Sequence, residues 1–86
     1  MIVFTLYSRS YCHLCDDMRE ALVQLMVGIP HRIDVIDIDL NGELVALYDE
    51  RVPVLFASRV DGSAAPGRQL CHYFLDEEQV KAFCEQ

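Results

Sequence analysis

Eighty-six residues carrying a formal charge of -7, with 52% of them apolar, describe one small domain with enough apolar content for a packed core rather than a disordered chain. The acidic balance excludes nucleic acid and anionic membrane surfaces as expected partners, because both require a basic face. No apolar stretch reaches transmembrane length, and the first residues lack the basic region, long apolar segment and small-residue cleavage site of an export signal.

Residues 2–7 (Ile-Val-Phe-Thr-Leu-Tyr) are apolar on both faces and predict an inner parallel strand. Ser8 to Tyr11 form a polar connection. From about Cys12 to Val27, Leu14, Met18, Ala21, Leu22 and Leu25 recur at helical spacing, and Gly28 and Pro30 stop the helix. His31 to Leu40, rich in Ile, Val and Asp, predicts a second strand, and Asn41 is placed to cap a short helix over 42–50. Val52-Pro53 leads into a third strand at 54–57, and the Gly- and Pro-containing stretch 58–67 is a loop. Gln69 to Phe74 then forms a fourth strand, antiparallel to the third because only a loop joins them. Asp76 followed by Gln79 resembles a capping box for a last helix carrying Val80 and Phe83. The predicted order is βαβαββα, with no repeats or linkers.

Chemistry concentrates at Cys12 and Cys15, between the first strand and the first helix. Positions i and i+3 face the same way on a helical turn, so two thiols at this spacing can close a disulfide with little backbone movement. Unpaired N–H groups and partial positive charge at a helix N-terminus favour the thiolate, which is the reactive form. The pattern is suited to reversible dithiol–disulfide chemistry. The other readings of four cysteines are weaker. A disulfide scaffold belongs to exported chains with thin cores. A zinc site usually needs four ligands, and the adjacent Cys71 and His72 on a strand point to opposite faces, so no metal is expected. Cys71 is expected as a small buried residue and Cys84 as structural. Asp34, Asp37 and Asp39 read as a solvated strand end.

The element order, the CxxC at the first helix and the Val-Pro before the third strand resemble the glutaredoxin/thioredoxin superfamily over essentially the whole chain. Tyr7-Ser8-Arg9-Ser10-Tyr11-Cys12-His13-Leu14-Cys15 is similar to the glutaredoxin segment Tyr-Ser-Lys-x-x-Cys-Pro-Tyr-Cys, and Asp37 to Leu55 is similar to small bacterial glutaredoxin-like proteins. The resemblance implies a thioredoxin-like α/β fold with a mixed four-stranded sheet and three helices. It implies Cys12 as attacking thiolate, Cys15 as resolving thiol and a cis Pro53, with Val52 offering its backbone to the substrate. Arg9 takes the place of a family lysine near the thiolate and a glutathione carboxylate, and Tyr11 is placed to flank the groove.

On this reading the protein is a cytoplasmic, monomeric thiol–disulfide oxidoreductase. It acts on a protein disulfide or a glutathione mixed disulfide, holds no bound cofactor and is re-reduced by glutathione or a thioredoxin-type reductase. Two other readings are open: a non-catalytic module that binds a protein partner beside Pro53, and glutathione-assisted iron–sulfur ligation through Cys12. Two departures bear on the choice. The intervening dipeptide is His13-Leu14, and the family's Gly-Gly and acidic glutathione segment after the last strand is replaced by Cys71-His72-Tyr73-Phe74-Leu75-Asp76. Arg9 and a protonated His13 would lower the Cys12 pKa, while Asp16 and Asp17 oppose it by like charge.

Overall fold

A computed structural model describes residues 1–10, 12–59 and 67–85. Its elements run β1 (Ile2–Ser8), α1 (His13–Leu25), β2 (His31–Asp37), a 3-10 turn (Ile38–Leu40), α2 (Gly42–Tyr48), β3 (Val54–Arg59), β4 (Arg68–His72) and α3 (Glu77–Cys84). The strands form one sheet in the order β2-β1-β3-β4. β1 pairs parallel with β2 and antiparallel with β3, and β4 is antiparallel to β3. This is the βαβαββα order and mixed sheet expected from the sequence.

β1 is apolar on both faces because both faces are covered. Ile2, Phe4 and Leu6 point to one side and form the main core with Met18, Leu22 and Met26 of the first helical segment, Leu55 and Ala57 of β3, Leu70 of β4, and Val80 and Phe83 of α3. On the opposite side Tyr7 stacks on Tyr48 of α2, with centroids 4.9 Å apart, and meets Phe56 of β3 edge-on. Arg59 at the end of β3 lies over the Phe83 ring and donates from Nη2 to the Phe83 carbonyl at 2.7 Å, fastening α3 to the sheet.

Local chemistry starts the last two helices where the sequence places their starts. Asn41 accepts from the Glu43 and Leu44 N–H groups, and Asp76 accepts from the Gln79 N–H. Gly28, at φ +84°, turns the chain after α1 in a conformation that costs glycine little. Other expectations change, and α1 and α2 each end two residues earlier than the sequence suggests. The second strand stops at Asp37 rather than Leu40, because the Asp37 carboxylate accepts the Asp39 N–H at 2.9 Å and curls the chain into the 3-10 turn. The fourth strand stops at His72 rather than Phe74, because Tyr73 adopts φ 64°. Leu14 is exposed, since Cys15, Met18 and Leu22 occupy the inward stripe of α1. The third strand also runs on through Arg59, so the predicted loop begins later, and most of it lies outside the described residues.

Truncating Leu22, which is fully buried, to alanine is expected to cost about 3 kcal/mol by urea unfolding, from lost burial and the cavity left behind. Val23→Ala on the exposed face of the same helix should change stability by no more than about 0.5 kcal/mol.

Candidate functional site

The register brings the site together. Tyr7 near the end of β1 pairs with Val54 at the start of β3, and Val54 pairs with His72 at the end of β4. The connections that follow β1, precede β3 and follow β4 therefore lie at one edge of the sheet. Cys12 ends the first connection with Cys15 in the first turn of α1 behind it, Val52 and Pro53 are in the second, and Tyr73 and Phe74 in the third.

Cys12 and Cys15 are joined by a disulfide, with Cα atoms 5.2 Å apart. Cys12 is the N-cap of α1, and its Sγ accepts the Cys15 backbone N–H at 3.1 Å. The two sulfurs differ in access: Cys15 is 3% exposed, whereas Cys12 is only half-buried. The flanking His13 and Leu14 are exposed. Cys12 is thus the more accessible residue of the pair, while Cys15 is buried.

The Val52–Pro53 peptide bond is cis, and Pro53 is buried. Pro53 gives its carbonyl to the Tyr73 N–H at 2.9 Å, and the Tyr73 hydroxyl donates to the Glu50 carbonyl. Tyr73 therefore pins both ends of the connection that presents Val52, a role the sequence reading missed. Its only sequence signal is its place at the end of the last strand, where the resembled family carries glycines. A left-handed residue other than glycine costs roughly 1–2 kcal/mol, which these two bonds offset. Among the described residues, the Val52 main chain has no hydrogen-bond partner.

Arg9 is committed within the chain. Its Nε and Nη2 donate to the two carboxylate oxygens of Asp39 at 3.3 and 2.6 Å. Its Nη1 donates to the Asp49 carbonyl at 3.2 Å and to the Asp49 carboxylate. The Asp39 and Asp49 hydrogen bonds hold the guanidinium above its ordinary range, and the Arg9 hydrogen bond is the main cause holding Asp39 below the usual carboxylate value. The aspartates expected as a solvated strand end are engaged as well: Asp37 caps the 3-10 turn, Asp39 holds Arg9 and Asp34 pairs with Arg32. Tyr11 lies outside the described residues.

The remaining cysteines are free and half-buried. Burial is the main cause raising both thiols; for Cys71 a backbone hydrogen bond at Asp76 partly opposes it, and for Cys84 the nearby Arg59 charge does. Among the described residues, no group of three or more His, Cys, Asp or Glu side chains is placed to hold a metal ion. No described helix is long and apolar enough to cross a membrane.

A family profile described as glutaredoxin-like domain (DUF836) matches residues 3–85. The chain belongs to this glutaredoxin-like family. The solution structure of protein Ne2328 from Nitrosomonas europaea is 39% identical with a TM-score of 0.79, covering 95% of this chain and 89% of that one. The X-ray structure of protein XcR50 from X. campestris is 35% identical with a TM-score of 0.67, covering 95% of each chain. A chloroplastic thioredoxin z, 18% identical, superposes with a TM-score of 0.72 over 100% of this chain and 77% of its own, which shows a thioredoxin-like fold. Among curated proteins, none matches the sequence. A cysteine pair at disulfide distance within this glutaredoxin-like domain points to redox function.

Two outcomes follow from these environments. After reduction, Cys71 and Cys84 should be alkylated more slowly at neutral pH than a free cysteine, read by mass spectrometry of timed iodoacetamide quenches. The Asp39 carboxyl is more acidic folded than at its ordinary 3.8, so its ion pair stabilises the fold above that value and is lost as the pH falls through the lower folded pKa. Asp39→Asn should flatten the loss of stability below about pH 4, measured as urea midpoints against pH.

Proposed function

We propose that the protein is a thiol–disulfide oxidoreductase that uses Cys12 as nucleophile and Cys15 as resolving thiol. The observation that carries this reading is the asymmetry of the pair: a half-buried Cys12 whose Sγ caps a helix, and a buried Cys15 one turn inside. In the reduced protein, the N–H of Cys15 and the helix dipole would act on Cys12 Sγ and favour its thiolate.

The reaction follows from that placement. The Cys12 thiolate attacks one sulfur of a substrate disulfide, forming a mixed disulfide as the other substrate sulfur leaves with its electron pair. Cys15 then attacks Cys12 Sγ, releasing the second substrate thiol and closing the Cys12–Cys15 bond. The substrate gains two electrons and the protein dithiol loses them; a thiol reductant returns them. Val52, with a main-chain N–H and C=O facing no partner among the described residues, is the rung on which an extended substrate segment pairs beside the disulfide. A reducing compartment such as the cytoplasm suits this cycle.

Cys12→Ser should abolish disulfide reduction with the fold intact, by circular dichroism alongside an insulin-reduction assay. Cys15→Ser should accumulate a mixed disulfide on Cys12, visible by intact mass. Cys12 alkylation against pH should give a pKa below the free value of about 8.5; a value at or above it, or full activity in Cys12→Ser, would contradict the assignment.

A further inference from the structure

The only cation on the connection between β1 and Cys12 is Arg9, and the structure shows where its charge goes. Both donors on one side of the guanidinium grip Asp39, and Nη1 takes the carboxylate and the carbonyl of Asp49. One positive charge faces two negative ones. At the same edge, Asp37 pairs with Ser8 in the β1–β2 register, and Glu50 and Arg51 follow Asp49. Asp37, Asp39, Asp49 and Glu50 outnumber Arg9 and Arg51 there.

The main chain beyond β4 offers little to an anion. The Tyr73 N–H is held by the Pro53 carbonyl, and the Phe74 N–H by the His72 carbonyl at 2.7 Å. The Asp76 carboxylate is occupied as the cap of α3. Beside the exposed His13 and His72 stand exposed apolar groups: Leu14 next to the disulfide, Tyr73, and Phe74 at 70% exposure.

Resting on the oxidoreductase reading above, we propose that Asp39 and Asp49 mask Arg9, so that the site takes disulfides in neutral or basic polypeptide segments with apolar flanks and discriminates against small anionic disulfides such as oxidised glutathione. The masking pair sets specificity by electrostatics, since like-charge approach is penalised and opposite charge steers encounter. Apolar flanks of the segment would cover Leu14 and Phe74.

The test is single turnover with the pre-reduced protein, whose own dithiol supplies the two electrons. The substrates are oxidised glutathione, a disulfide-bonded peptide with neutral flanks, and the same peptide with lysine flanks; acid quenching and mapping follow Cys12–Cys15 bond formation. The lysine peptide should react at least about tenfold faster than glutathione disulfide at low ionic strength. Raising the salt should slow the lysine peptide and speed glutathione disulfide, because screening removes attraction in one case and repulsion in the other. The double variant Asp39→Asn with Asp49→Asn should raise the glutathione rate about tenfold relative to the neutral peptide. Equal rates for lysine peptide and glutathione disulfide, or salt slopes of the same sign in the unmodified protein, overturn the masking proposal even if the double variant does not fold. Failure of the folded, reduced protein to oxidise with any of the three overturns the oxidoreductase reading itself, and the masking proposal with it.

Discussion

A sulfur atom holds the position at the start of α1 that an oxygen usually holds. Ser, Thr, Asp and Asn are the common N-caps because their side-chain oxygens accept an orphan N–H of the first turn. Here Cys12 Sγ accepts the Cys15 N–H, so the group that begins the helix is also one of the two sulfurs of the disulfide. The helix lends its terminal field to that sulfur, and α1 is fixed in turn by Met18, Leu22 and Met26 in the core. Packing far from the disulfide therefore determines the direction from which the cap donor approaches it.

The antiparallel pairing of β1 with β3 supplies the second half of the site. It places Cys12 and Val52-Pro53 at the same edge although forty residues separate them in sequence. Tyr73 then ties the Val52 connection to the end of β4, and Arg9 ties the connection after β1 to Asp39 and Asp49 on either side of α2. Both ties hold irregular connections against neighbouring elements. Exposed ion pairs contribute little to global stability, so the weight of the Arg9 pairs falls on local geometry and charge.

Much of this was legible in the sequence, for identifiable reasons. β1, α1 and the CxxC could be read because apolar periodicity and a two-residue spacing are local signals. The caps at Asn41 and Asp76 could be read because their donors lie two or three residues away. The turn after Asp37 could not, since alternating Ile and Asp looks the same in a strand as in a 3-10 turn closed by an aspartate. Leu14 read as a core residue because leucine outranks cysteine in any hydropathy pattern, yet Cys15 holds the inward position. Tyr73 gave no sign of its left-handed backbone. The partners of Arg9 are thirty and forty residues distant, so its charge looked available until the fold showed it bound.

The proposed role requires Cys12 and Cys15 to form a working redox couple distinct from the other two cysteines. It is tested most directly by equilibration in a series of glutathione buffers, with acid trapping and peptide mapping of all four thiols. A reversible Cys12–Cys15 disulfide is expected with a midpoint between roughly -270 and -120 mV, while Cys71 and Cys84 remain thiols. Cys12 and Cys15 staying reduced and unmodified across the series would contradict it and leave the fold as a binding module.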